Sequence, residues 1–378
     1  MKNTFETIII GAGPAGLAAG MYLNDYLILD QKKEIGLPVR CAEGLSKKNL
    51  EMLRIEPDSS WISTKIDTSK VFLPNGKIIL LSGKEAGYVL DRSRFEKFLA
   101  QKCQGEILLE KKIVDIKKEN RLWQVTTKDR ETFFSKYLIG ADGPLSIVRE
   151  KVFKEKVNFL PTLQFLVKLE RKVNTSEIRM YFDKERFSSG YAWIFPKSEN
   201  LANIGLGGEK NLKKEFEDFM ENTVKKEFGN YELIEPRCKI LSWGGANIKL
   251  FEDNAFLIGD AGALIEPIFG GGIGNAMISG QVAAKSILSG RAHSYEAEIK
   301  SMPFFSKDLL VAQEIIYSLE NQVVNEVGEI LEEKGGDIFY LKNILPFFNF
   351  LSKPNLRKNI FKLLKLFTIY KKYSKSWI

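Results

Sequence analysis

The sequence predicts an α/β fold: a parallel sheet wrapped by helices, an inserted antiparallel β-sheet and a C-terminal helical region. Three observations predict it. Short unbroken apolar runs at Thr7–Ile10, Tyr26–Leu29, Tyr137–Ile139 and Ala255–Ile258 each lead into a turn carrying Gly or Asp, as strands buried on both faces do. Between the third and fourth runs, several stretches alternate apolar and polar residues, the pattern of a half-exposed sheet. Near the C-terminus, apolar residues recur at helical spacing.

The first segment, "TIIIGAGPAGLAAGMYLNDYLILDQK", reads as strand, Gly-rich turn, helix, strand. Gly11, Gly13 and Gly16 fit the GxGxxG pattern. The first allows the tight turn, the second lets backbone approach a pyrophosphate, and the third lets the helix pack on the strand. The helix start offers unpaired N–H groups and a positive dipole end to phosphate, with Ala15 in the same turn. Asp30, 19 residues after Gly11, closes the second strand and is placed to bind ribose hydroxyls. Gln31, next along, is read as a cofactor contact with it.

"GLPVRCAEGLS", Gly36 to Ser46, follows that strand. The chain has three Cys, Cys41, Cys103 and Cys238, at wide spacing; this excludes a disulfide framework and a zinc pattern. The single His, His293, lies in a polar stretch and reads as a surface residue, which argues against a Ser-His-Asp hydrolase. With no nearby His, Cys41 is also a poor nucleophile. The loop is placed to reach a bound cofactor, with Arg40 near phosphate or ring and Cys41 facing the pocket.

Two later segments choose the dinucleotide. "KYLIGADGPLSIVRE" is a strand ending in Gly-Ala-Asp-Gly, with Asp142 in the turn. "NAFLIGDAGALIEPIFGGGIGNAMISGQVAA" is a strand ending at Gly259-Asp260, then a loop, then Gly270, Gly271 and Gly272 before a helix opening at Ile273. An Asp directly after a buried strand can hydrogen-bond a polyol chain. Glycine amides at a helix start can approach a flat ring and favour negative charge on it. Reduced flavin has both a ribityl chain and such a ring; NAD has neither.

Together these segments resemble the FAD-dependent reductases and hydroxylases of the p-hydroxybenzoate hydroxylase fold. The resemblance implies a Rossmann-type FAD-binding domain from 1–65, 88–155 and 250–292. An inserted antiparallel β-sheet substrate domain follows from 66–87 and 156–249, and a C-terminal helical region from 293–378. It assigns Gly11 to Gly16 and Asp30 to the ADP half of FAD, Arg92 in "YVLDRSRFEKFLA" to the phosphates, and Asp260 to the ribityl chain. Asp142 belongs to the family's Asp-Gly motif, Val114 joins the cofactor contacts, and Gly271 to Gly274 flank the isoalloxazine.

Within the β-rich insertion, "SKVFLPNGKIILLSG" carries a hairpin signature at Pro-Asn-Gly. "PVRCAEGLS" resembles the Pro-x-x-Cys-x-x-Gly-x-Ser signature of geranylgeranyl reductases, matched at Pro38, Cys41, Gly44 and Ser46. "GYAWIFPK" resembles their Tyr-x-Trp-x-Phe-Pro segment, matched at Tyr191, Trp193, Phe195 and Pro196. The resemblance implies an enzyme that saturates isoprenoid double bonds of a lipid by flavin hydride transfer, with Cys41, Tyr191 and Trp193 at the reacting chain. Flavin-dependent halogenases and aromatic monooxygenases share the fold and stand as alternatives, as does a non-catalytic flavin electron carrier. One GxGxxG implies that electrons come from an external donor, NAD(P)H or a ferredoxin-like protein.

The net charge of +8 is uneven: nine Lys or Arg and no acidic residue lie between Ile338 and Ile378. In "PNLRKNIFKLLKLFTIYKKYSKSWI", Ile360, Leu363, Leu364, Phe367 and Tyr370 recur at helical spacing among Lys358, Lys362 and Lys365, with Trp377 near the end. Such a helix either packs on the body or rests on an anionic membrane surface. No nucleic-acid motif accompanies the charge. No leader is expected before "MKNTFETIIIGAG", so the expected location is cytoplasmic, with a peripheral place on the inner membrane surface through the tail. If Cys41 is a pocket-wall residue that orients the alkene, Cys41→Ser changes which bonds are reduced, with FAD content unchanged. Product mass spectra and the flavin spectrum check this; loss of flavin would instead put the loop in the cofactor cradle.

Overall fold

Ile8 and Ile9 are fully buried because their strand, β1 (Thr4–Ile10), lies in the middle of a parallel sheet. The computed structural model describes residues 2–80, 86–187, 190–332 and 353–373. β1 leads through a turn into α1 (Pro14–Gly20) and then β2 (Tyr26–Leu29). Five strands run parallel in the spatial order Glu106–Leu108, β2, β1, β3 (Thr132–Gly140), Ala255–Leu257. In chain order that is third, second, first, fourth, fifth, so the direction of winding reverses between β1 and β3. Ligand crevices of open α/β sheets lie at such a point, outside the carboxyl ends of the strands. Here those ends are Gly11 and Ala141, and they touch: a Cβ on Gly11 (φ +111) would lie 2.3 Å from the Ala141 carbonyl oxygen.

A second, eight-stranded sheet carries β4 (Asn158–Leu169), β5 (Ala192–Ser198), β6 (Leu201–Gly207) and β7 (Lys239–Trp243). Thr68–Phe72 and Ile78–Leu80 join it as an antiparallel hairpin around Pro74-Asn75-Gly76. This sheet is not wholly antiparallel: Thr68–Phe72 runs parallel to Glu177–Tyr181. The two strands come from separate segments, so no short hairpin dictates their direction. Alternation sorts the faces of β5 and β6. Ala192, Ile194, Ile204 and Leu206 pack on Phe216, Phe219 and Phe228 in a core of their own. Trp193 and Phe195 point the other way, toward a cavity between the two sheets.

α2 (Ile273–Leu288) lies against α1, so close that a Cβ on Gly280 would fall 2.3 Å from the Ala15 carbonyl oxygen. Farther along, α3 (Lys307–Ser318) and α4 (Ile360–Tyr373) pack on one another. α4 buries Leu363, Ile369 and Tyr370 against the body and leaves Phe361 84% exposed. The basic helix therefore packs on the protein while keeping an apolar, lysine-flanked outer face. Trp377 lies outside the described residues.

Candidate active site

A cavity of about 2180 Å3 runs from the Gly11–Ala15 turn, past the 36–46 loop, to the cavity face of the second sheet and the C-terminal helices. At its dinucleotide end, the three glycines divide the work. Gly11 needs its positive φ, and a Cβ on Gly16 would lie 1.9 Å from the Gly11 carbonyl oxygen. A Cβ on Gly13 would meet nothing within 4 Å, so this is open wall where a pyrophosphate can approach backbone. α1 and α2 both start on the cavity, capped by Gly13 and Gly272 with no side-chain cap and no acid in the first turn. Both present free N–H groups and a positive dipole end.

Asp30, buried at the end of β2, accepts from the Ala12 N–H at 2.6 Å and the Lys32 N–H at 2.8 Å. Each oxygen keeps a lone pair for a ribose hydroxyl. Glu96, invisible to motif reading, stands beside it on the wall: its Oε1 accepts from Arg92 Nε at 2.6 Å, while its buried Oε2 has no hydrogen-bond partner. Lys32 Nζ stands 3.7 Å from that oxygen, and a buried acceptor with no hydrogen-bond donor fits a ligand hydroxyl. Burial works against the charge on Arg92, but the neighbouring groups, Glu96 first with Cys41 and Asp260, together outweigh it and raise the guanidinium's affinity for its proton. Gln31, Arg40, Gly271, Gly272 and Ile273 also line the cavity. These features fit an adenine dinucleotide with a flat ring at the α2 end.

Three anticipated residues are off the wall. Gly16 and Gly259 act in packing; a Cβ on Gly259 would meet the Ala15 and Ala276 side chains at 2.9 and 3.2 Å. Val114 is 43% exposed, because strand alternation gives the inward position to Ile113. Asp142 is on the wall, yet its carboxylate accepts from Ser146 Oγ at 2.6 Å and the Ile147 N–H at 2.7 Å. It holds the turn that carries Pro144 and Leu145, and burial pushes its carboxyl up. Asp260 is ion-paired to Lys239, a wall residue that no motif marked.

The 36–46 loop is locked to the second sheet. Cys41 Sγ accepts from the Glu43 N–H at 3.2 Å, and the Cys41 carbonyl accepts from Gln164 Nε2 at 2.9 Å. Gln164 Oε1 in turn accepts from Trp193 Nε1 at 2.8 Å. Gly44 packs directly on the Phe195 ring, which a Cβ would approach to 2.8 Å. Tyr191 stacks on Phe182 and donates its hydroxyl to the Phe269 carbonyl; burial raises its pKa. The side chain is thus a wall element with its proton already committed.

Glu43 is the hub. It is 1% exposed at φ +71. Its Oε1 accepts from the Arg92 N–H at 2.8 Å. Its Oε2 accepts from Asn203 Nδ2 and Arg237 at 2.7 Å each and lies 2.9 Å from Lys197 Nζ. Asn203 also donates to the Ala42 carbonyl at 3.1 Å. Gln164, Asn203 and Arg237 were missed by motif reading; Gln164 and Asn203 signal themselves only as polar residues at inward positions of β4 and β6, and Arg237, in the connection before β7, carries no signal.

A family model for the geranylgeranyl reductase catalytic domain matches residues 159–240, the span of β4 to β7. The chain is 33% identical over 315 residues to the digeranylgeranylglycerophospholipid reductase of Methanosarcina acetivorans, covering 76% of this chain and 75% of that one. To the digeranylgeranylglycerophospholipid reductase 1 of Methanococcoides burtonii it is 30% identical over 402 residues, covering 97% and 96%. Among solved structures, a geranylgeranyl bacteriochlorophyll reductase-like protein from Thermoplasma acidophilum superposes with a TM-score of 0.79 at 27% identity, over 88% and 92% of the two chains. A flavin-dependent halogenase shares the fold alone, with a TM-score of 0.63 at 18% identity over 84% of this chain and 63% of that one.

Removing the Glu43 carboxylate leaves Arg237 and Lys197 buried beside each other. Glu43→Ala is expected to cost about 3–5 kcal/mol in urea unfolding and to speed alkylation of Cys41, since the loop loses its anchor. Unchanged stability and unchanged thiol reactivity would show that the network does not hold the loop.

Proposed function

The chain belongs to the geranylgeranyl reductase family, and from that premise we propose that it saturates the geranylgeranyl chains of a glycerophospholipid, the substrate class its relatives are named for. It is an FAD-dependent oxidoreductase acting on the carbon–carbon double bonds of isoprenoid chains in lipids. The observation that carries the finer reading is the continuity of one cavity from the Gly13 turn to the aromatic wall of Tyr191, Trp193 and Phe195. Its volume of about 2180 Å3 exceeds the roughly 300–1,000 Å3 of drug-sized sites, which leaves room for a long chain beside the cofactor.

Bound FAD supplies the hydride. The Gly11–Ala15 turn, Asp30, Glu96 and Arg92 hold its nucleotide half, and the starts of α1 and α2 favour its negative charge. The Cys41 loop and Trp193 form the wall that sets which bond of the chain lies against the ring. A side chain pinned along one edge, as Trp193 is at Nε1 by Gln164 and at Cζ2 by the Gly205 backbone, positions a substrate with little entropy left to lose. Exclusion of water by this wall keeps hydride from solvent.

In this reading, electrons reach the cofactor from an external donor of NAD(P)H or ferredoxin type. No helix among the described residues is long and apolar enough to cross a membrane. In the same reading the lipid enters from a membrane against which the exposed outer face of α4, with Phe361, Leu364 and Lys365, rests.

Purified protein given FAD, a reductant and a digeranylgeranyl phospholipid is expected to yield products heavier by about two mass units per saturated bond. An FAD-loaded protein that leaves every polyprenyl lipid unchanged but halogenates an aromatic would overturn the reading. In flotation with anionic vesicles, Phe361→Asp is expected to weaken binding several-fold while flavin content stays the same; equal flotation would remove α4 as the membrane contact.

A further inference from the structure

An alkene with no neighbouring carbonyl needs a proton on one carbon as well as a hydride on the other. The acid has to stand on the cavity wall with its proton uncommitted. Tyr191 donates to the Phe269 carbonyl and Glu43 is enclosed by Arg237 and Lys197, so neither has a free proton to give. Glu266 is different. It lines the cavity at the start of the loop that ends in Gly270–Gly272, between the cofactor end and the aromatic wall. The only hydrogen bonds to its carboxylate among the described residues come from the N–H groups of Ile268 at 3.0 Å and Phe269 at 2.6 Å. The groups that face it are uncharged phenols: Tyr191 from the start of β5 and Tyr317 from α3, whose hydroxyl donates to the Ile268 carbonyl at 2.7 Å. The charged pair Asp260–Lys239 stands beyond the glycine turn.

We propose that Glu266 is the acid that protonates the isoprenoid double bond. This rests on the reading of the protein as an isoprenoid reductase. The Glu266 O–H bond breaks as a C–H bond forms at one alkene carbon; the other carbon takes the hydride from the reduced cofactor. The alkene gains two electrons and the cofactor loses two, while the carboxylate left behind regains its proton from water at the cavity mouth. Burial pushes the Glu266 carboxyl up to about 7, against the pull of the two N–H donors. Both its protonated and its ionised form are therefore populated near neutral pH, the condition for an efficient acid.

Glu266→Gln keeps the shape of the side chain and removes the acid. With wild-type flavin content and wild-type reduction of that flavin by dithionite, the variant is expected to saturate lipid at least about 10²-fold more slowly. Lipid turnover by the wild type should fall as pH rises through about 7, the range in which the proton leaves, and the residual rate of the variant should lose that dependence. Lipid turnover by Glu266→Gln at the wild-type rate overturns the proposal. Should the variant fail to hold flavin, an infrared pH titration of cofactor-free wild type decides: a protonated carboxyl band lost near pH 7 supports it, and the lack of one overturns it. A wild type that saturates no lipid overturns the functional reading as well, so the two failures are distinguishable.

Discussion

The site depends on one buried carboxylate. Glu43 sits in a loop between two strands of different sheets, and its partners come from the start of the Arg92 helix, from β5, from β6 and from Arg237 before β7. Taking ions out of water costs several kcal/mol each, and only a complete set of partners offsets it. The network therefore forms whole or not at all. Its completion fixes the Cys41 loop against the second sheet and so sets the cavity wall on that side. Stability is the lesser consequence, because such pairs add little over an apolar core; their gain is a single geometry.

Register explains why the rest of the wall has the residues it has. In the paired strands, Gly205 lies directly between Gln164 on one side and Trp193 on the other. With no side chain on the middle strand, Gln164 reaches over it to the indole N–H; a Cβ there would fall 2.7 Å from both residues. Gly44 meets Phe195 in the same way. The two segments resembling reductase signatures, about 150 residues apart in the chain, are thus two halves of one contact surface.

What was legible in the sequence was local. A Gly turn between a strand and a helix, an Asp after a buried strand and three glycines before a helix each report backbone geometry within a few residues, and each sits on or under the cavity. Gln164, Asn203 and Arg237 were not legible, because their role is set by which strands pair and in what register, and pairing is a long-range outcome. Tyr191, expected at the reacting chain from its place in a signature, lines the cavity and also braces it as a strut, its hydroxyl on the Phe269 carbonyl. Val114 missed by one residue, which in a strand means the opposite face.

The strut has a further meaning when its partner loop is considered. The Ile268–Phe269 segment has both N–H groups on Glu266 and its two carbonyls on Tyr317 and Tyr191. Every backbone polar group of this stretch is thereby satisfied away from regular structure, the condition under which an irregular loop can be rigid and buried. One phenol belongs to the substrate sheet and the other to α3, against which α4 packs. Displacing α3 would free the Ile268 carbonyl and tilt the peptide whose N–H groups rest on Glu266. The C-terminal helices therefore bear on the loop that leads into α2 as directly as the Gly-rich turns do.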